Sequence, residues 1–317
     1  FPVTNQSFAV FSSPESNLSN LGYKGATEMK TASFILSISR IGLAGLLLFI
    51  CAGVVLSQAK AEKIAVKAEQ KPSKEFCSNN WSNGDKVSIS DLREVSVPAS
   101  GTLKIDGGRN GGIKVIGEDR TDVLIRSCVQ AWGSNDEVAR AIVSNIRVNT
   151  SGIVKADGPE DGWSVSYEAR VPKDSNLKLN AHNGGISIKS VEGSLEFETT
   201  NGGVSLTNVA GDVRGKTTNG GVNVSLYGNS WRGTGLDVAT TNGGVNLTVP
   251  QGYAANIETG TVNGGFKSDI PELNVTTENV LGGYRKSVEI RTAINGGGAP
   301  IRVTTRNGGV RIGTSTN

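Results

Sequence analysis

One histidine, His182, stands in the whole chain of 317 residues, and this narrows the available chemistry at once. A nucleophile relay needs acid and hydroxyl partners at fixed distances from the imidazole. A zinc site needs several nitrogen or sulfur ligands. The segment around His182 offers neither set. Position 182 precedes an Asn-Gly-Gly, where Thr200, Thr218 and Thr241 stand in later copies, so a solvent-facing strand position is its expected role. Carboxylate pairs come next, because glycoside cleavage requires two converging acids. Glu196 and Glu198 are not echoed in the following copy, where Arg214 and Lys216 take nearby places; cross-strand ion pairs account for them. Asp157-Gly-Pro-Glu160-Asp161-Gly162 reads as a solvated acidic turn rather than a cation site. Glycine-rich loops cradle phosphate when they open a helix, but each Asn-Gly-Gly here runs into a strand-like stretch. Calcium-binding nonapeptides repeat an Asp, and these corners carry none. No catalytic residue, metal or cofactor is expected.

The remaining candidate is electrostatic. Between Leu281 and Asn317, Arg285, Lys286, Arg291, Arg302, Arg306 and Arg311 face one acid, Glu289, six cations to one for a net +5. If their coils stack, Arg302, Arg306 and Arg311 form a stripe able to meet an anionic glycan. A solvated face that discourages end-to-end stacking is the plainer reading and carries more weight. Residues 1–61 hold four of the 32 basic and two of the 29 acidic residues, leaving 28 against 27. That balance gives no electrostatic footprint for nucleic acid.

Composition points to a thin-cored β protein. Gly makes up 42 residues and Pro only 9, without a three-residue period, which excludes collagen. Met29-Lys30, Arg40, the apolar run Ile41–Leu56 and Ala59-Lys60-Ala61 have the layout of a secretory signal peptide over 29–61. The run is shorter than the roughly 20 residues needed to span a bilayer, so cleavage after Ala61 is expected, with a membrane anchor as the uncleaved alternative. A lipid attachment at Cys51 is a minor option, since the bulky Ile50 precedes it. Residues 1–28 are expected to be an upstream non-native extension, 62–86 a flexible Lys/Glu-rich leader. Cys77 and Cys128 would form one disulfide in an oxidising compartment, closing a loop worth roughly 4 kcal/mol in the chain-entropy model. Two buried free thiols are the alternative.

These residues must be held by something, and periodicity says what. Over 87–172, Leu103–Ile105, Ile113–Val115, Val123–Ile125, Ile153–Lys155 and Trp163–Tyr167 alternate like strands. Ser134-Asn-Asp-Glu137 is a capping box ahead of helically spaced Val138, Ala141, Ile142 and Ile146, predicting one helix near Asn135–Asn145. Over 173–317 the chain repeats. Asn-Gly-Gly begins at Asn110, Asn183, Asn201, Asn219, Asn242, Asn263, Asn295 and Asn307. From Asn183 the spacings are 18, 18, 23, 21, 32 and 12, with Leu281-Gly-Gly283 a degraded corner inside the longest. Apolar pairs follow at plus three and plus five, such as Val204/Leu206, and precede at minus six and minus four, such as Leu195/Phe197. Ser187, Glu196, Ser205, Asn223, Asp237, Asn246 and Arg302 alternate with them on the face toward water.

Asn-Gly between strands is a strong hairpin signal, giving an antiparallel meander. A near-constant period instead favours a parallel β-solenoid, in which Asn stacks over Asn and Gly over Gly where the corner's backbone tolerates no other residue. The solenoid is preferred, all-β with one capping helix in the 87–172 segment covering its first coil. The asparagines at 183, 201, 219, 242, 263 and 307 serve as structural corners.

Val165-Ser-Tyr-Glu-Ala-Arg-Val-Pro-Lys-Asp-Ser-Asn-Leu-Lys-Leu, then His-Asn-Gly-Gly-Ile-Ser-Ile and repeated Thr-Thr-Asn-Gly-Gly-Val units, resemble the bacterial putative-adhesin family, also called the toastrack domain, from about Leu103 onward. The resemblance implies a β-solenoid on an exported or membrane-linked protein, with roles in adhesion or envelope stress and no established active site. Coils near Phe266/Ser268 and at Asn295, where the apolar pair is lost, depart from it. The expected protein is an exported, non-enzymatic surface-contact molecule of the periplasm or cell surface, meeting an anionic glycan or an envelope protein. Alternatives are a polysaccharide-active enzyme on the same scaffold and an envelope-stress component acting through a protein partner.

Overall fold

The computed structural model describes residues 76–77, 86–273 and 287–316, all within the unit Pro72–Asn317. The expected extension 1–28, signal 29–61, nearly all of the leader 62–86 and the Leu281–Gly283 corner lie outside the described residues. Among the described residues no helix is long and apolar enough to cross a membrane.

In chain order the elements are β1 (Val87–Pro98), β2 (Thr102–Asp106), β3 (Ile113–Glu118), β4 (Asp122–Gly133), α1 (Asp136–Asn145), β5 (Arg147–Asn149), β6 (Ile153–Asp157) and β7 (Trp163–Pro172). There follow β8 (Asn176–Ala181), β9 (Ile186–Lys189), β10 (Glu192–Thr199), β11 (Val204–Thr207), β12 (Ala210–Asn219), β13 (Val222–Ser225), β14 (Gly235–Asn242) and β15 (Val245–Pro250). Last come β16 (Ala255–Asn263), β17 (Phe266–Ser268), a 3-10 turn (Pro271–Leu273), β18 (Val288–Ile294), β19 (Pro300–Asn307) and β20 (Val310–Ser315).

The strands make two mixed sheets, mostly parallel. The first runs β1-β4-β7-β3-β9-β11-β13-β15-β20-β17, the second β18-β16-β19-β14-β12-β10-β8-β2-β6-β5. Antiparallel pairing is confined to β1/β4, β4/β7, β16/β18 and β5/β6. A strand of the second sheet passes through a corner into a strand of the first, and equal positions of neighbouring units lie side by side: Ile186, Val204, Val222 and Val245 follow one another in register. The architecture is solenoid-like, and the meander alternative falls because consecutive strands do not pair with each other. Alternation places Leu177, Leu179, Leu195, Phe197, Val204 and Leu206 in one continuous core between the sheets, with the intervening side chains toward solvent.

The units do not stack in chain order. The β2/β3 unit sits between β6/β7 and β8/β9, and the β19/β20 unit between β14/β15 and β16/β17. Both out-of-order units are thereby paired on two sides. The outer positions carry antiparallel strands or the three-residue β17, which blunts edges that would otherwise template association. The expected boundary at Pro172 separates nothing in these sheets, since β2, β3, β6 and β7 are members of them. Helix α1 packs on β4 and β1. Asn135, not Ser134, is its N-cap: the Asn135 side chain accepts from the Val138 amide at 2.9 Å. The Arg93 guanidinium donates to the carbonyls of Val143 (3.0 Å) and Ile146 (2.6 Å) at the other end, where the dipole favours a cation.

Corner glycines are required for a different reason than their backbone angles. Gly184, Gly202, Gly220, Gly243 and Gly308 are absent from the positive-φ residues. A Cβ on any of them would overlap the carbonyl of the corner glycine in the adjacent unit: Gly202 on Gly184, Gly220 on Gly202, Gly243 on Gly220. Asn295-Gly-Gly is the exception, with φ of 47°, 90° and 80° at Asn295, Gly296 and Gly297; it is a left-handed turn joining β18 to β19, and the Asn295 side chain donates to the Tyr253 carbonyl.

Candidate ligand-contact surfaces

The corner asparagines form one hydrogen-bonded ladder. Each Nδ2 donates to the Oδ1 of the next unit: Asn183 to Asn110 (3.0 Å), Asn201 to Asn183 (2.8 Å), Asn219 to Asn201 (2.7 Å) and Asn242 to Asn219 (2.8 Å). Asn307 then donates to Asn242 and Asn263 to Asn307, both at 2.8 Å. Beneath it, the buried Thr199, Thr217, Thr240, Thr305 and Thr261 donate to the carbonyls of Gly184, Gly202, Gly220, Gly243 and Gly308. The Thr two residues before each corner is thus a satisfied core hydroxyl. Exposed His182 lies beside the ladder, as its solvent-facing reading requires.

Across the outer face of the second sheet runs a row of in-register charges: Lys178, Glu196, Arg214, Asp237, Arg302, Glu258, Arg291. Sign alternates at every step. Lys178 meets Glu196 at 3.0 Å, Arg302 meets Asp237 at 3.2 Å and Glu258 at 3.1 Å, and Arg291 meets Glu258 at 3.3 Å. In a parallel row, Lys216 pairs with Glu198 at 3.2 Å. Partial burial opposes the Arg302 charge, yet Asp237 and Glu258 hold its pKa above the ordinary value.

The first sheet presents a different row: Glu94, Arg126, Glu168, Lys114, Ser187, Ser205, Asn223, Asn246, Arg311, Lys267. At one end the buried Glu168 carboxylate binds Lys114 and Arg126, each at 2.9 Å, and Arg170 at 3.4 Å. Burial raises its pKa, but the hydrogen bonds from Lys114 and Arg126 outweigh burial and the net shift is downward. The middle is neutral, hydroxyl then amide, with Asn246 donating to Asn223 at 2.8 Å. At the far end Arg311 and Lys267 are adjacent, and neither forms an ion pair among the described residues.

Arg302, Arg306 and Arg311 are therefore not one stripe. Alternation puts Arg302 on the outer face of the second sheet and Arg311 on that of the first, while Arg306 is exposed one residue before the Asn307 corner. Lys267 is the cation that joins Arg311, and chain order hides it because β20 inserts before β17. Cys77 and Cys128 are disulfide-bonded. The bridge holds Phe76 over the first sheet, its ring 5.3 Å from the Arg126 guanidinium carbon. Phe76 walls a shallow groove of about 500 Å³ whose floor includes Ser166, Ser187, Ser205 and Asn223.

The family model described as Toastrack DUF4097 matches residues 51–312. Two solved structures are similar at low identity. One is a putative cell adhesion protein from Clostridium sporogenes ATCC 15579, 10% identical with a TM-score of 0.40, covering 72% of this chain and 100% of that one. The other is a putative adhesin from Bacteroides fragilis NCTC 9343, 12% identical with a TM-score of 0.31, covering 71% and 97%. No curated protein matches the chain.

Proposed function

The chain belongs to the Toastrack DUF4097 family, and from that footing we propose that it is an exported, non-enzymatic contact protein of the bacterial envelope, a β-solenoid whose repeat closes on the Asn-Gly-Gly corner. The observation that carries this reading is the neutral row Ser187, Ser205, Asn223, Asn246 on a flat parallel sheet. Parallel rungs repeat such groups about every 4.8 Å, so a polymer lying across them meets a hydrogen-bonding group at each rung. Each contact is weak, but linked contacts multiply. A glycan fits this chemistry: its hydroxyls match the Ser and Asn side chains, and anionic substituents on it would meet Arg311 and Lys267. The signal-peptide layout and the disulfide support export. The pairing of Glu196 with Lys178 and of Glu198 with Lys216 supports a surface without catalytic acids.

Retention of the purified protein on immobilised chitin, cellulose, alginate and peptidoglycan tests the reading. Ser205→Tyr, which strand geometry tolerates, fills the groove and is expected to abolish retention. Arg302→Glu on the opposite sheet is expected to leave it unchanged. Retention on none of the four, equal loss in both variants, or release of reducing ends from any polymer would overturn the proposal.

A further inference from the structure

At the end of the asparagine ladder, between the corner Gly107–Asn110 and the turn Glu160–Trp163, lies a cavity of about 520 Å³. That volume is in the range of small-molecule sites, roughly 300–1,000 Å³. Three features of its wall converge. Lys86 and Arg109 are matched by Glu160 and Asp161, so a net-charged ligand gains no overall attraction, while hydroxyls find both donors and acceptors. Trp132 and Trp163 contribute indole surface; the Trp163 Nε1 donates to the Pro159 carbonyl at 2.6 Å, which fixes that ring. Aromatic rings of this kind suit the apolar C–H faces of a sugar.

The third feature is Tyr167, which lines the same cavity. It is 1% exposed, and its Oη has no hydrogen-bond partner among the described residues. Native proteins rarely leave a buried hydroxyl unpaired, because its desolvation is uncompensated. Burial, assisted by Asp106 and Asp157, pushes the phenol pKa well above its ordinary value, so the group stays a neutral donor. Beside it ends the ladder: Asn110 Oδ1 accepts from Asn183, and the Asn110 Nδ2 has no partner among the described residues. We propose that this cavity binds a neutral pyranose, as a mono- or disaccharide, with Tyr167 Oη and Asn110 Nδ2 hydrogen-bonded to its hydroxyls and the indoles against its ring. This site is separate from the outer-face groove.

The test is calorimetric titration of the intact protein with glucose, galactose, mannose, N-acetylglucosamine, cellobiose and chitobiose, with glucose 6-phosphate and glucosamine as charged comparators. At least one neutral sugar is expected to saturate, and more tightly than either charged one. Tyr167→Phe removes only the unpaired hydroxyl. It should weaken binding roughly tenfold while the ligand-free melting temperature holds or rises. Ser205→Tyr should leave this binding intact, which separates the cavity from the proposed polymer face. Absence of saturation by every neutral sugar, tighter binding of a charged comparator, or wild-type affinity in Tyr167→Phe would each overturn the assignment.

Discussion

Gly202→Ala is expected to cost about 4 kcal/mol or more, an exceptional figure for one methyl group. The added Cβ would overlap the carbonyl of Gly184 in the adjacent unit. Backbone stands on both sides of the clash, so no rotamer change relieves it, and the unit must separate from its neighbour. Separation breaks the Asn201–Asn183 bond and the Thr199–Gly184 bond together. The adjacent Gly203→Ala is the internal control. Its Cβ would sit 3.4 Å from the Gly221 oxygen, so a small loss is expected, within about 1 kcal/mol of wild type. Urea unfolding of the two variants under identical conditions measures the contrast.

The second large effect crosses two units within the core. Phe197 and Gly215 are register partners on β10 and β12, and a Cβ at Gly215 would run into the Phe197 ring. Phe197 is 2% exposed, so Phe197→Ala is expected to cost about 3–5 kcal/mol through lost burial and a residual cavity. Gly215→Ala alone is expected to cost about 1–3 kcal/mol as overpacking. Combined, the methyl at 215 enters the space the ring has left, and the double variant should be no less stable than Phe197→Ala alone. That gives a favourable coupling of about 1–3 kcal/mol. Simple additivity in a double-mutant cycle would contradict the contact.

Local features of this fold are readable from the chain because each is dictated by neighbours in sequence. Apolar pairs at minus six, minus four, plus three and plus five mark strands that the structure buries, and the one helix begins within a residue of its expected start. Cys77 and Cys128 bond as the cysteine count implies. What the sequence conceals is order. One Asn-Gly-Gly unit is chemically equivalent to another, so nothing in Asn307 says that it lies between Asn242 and Asn263, 65 and 44 residues away. The alternating charge row depends on that order, because Arg302 gains Asp237 and Glu258 only through it. The basic stripe failed for the same reason, compounded by alternation: Arg302 and Arg311 belong to different sheets. Gly-Gly was legible as a requirement but not in its cause, since close approach of stacked backbones and a left-handed φ select the same residue type. The cavity had a faint signal in the acidic turn Asp157–Gly162 and nearby Trp163, but Trp132 and Arg109 reach it only through the fold.

Cysteine crosslinking between units measures the stacking order directly. Neighbouring strands lie about 4.8 Å apart, within the roughly 4.4–6.8 Å Cα separation that a disulfide spans. Strands one further apart do not meet that limit. Asp237→Cys combined with Arg302→Cys is predicted to crosslink on mild oxidation, mapped by mass spectrometry with the Cys77–Cys128 bridge intact, whereas Asp237→Cys with Glu258→Cys is predicted not to. A bond in the second pair and none in the first would mean that the units pile up in chain order, contradicting the inserted β19/β20 unit and the charge row built upon it.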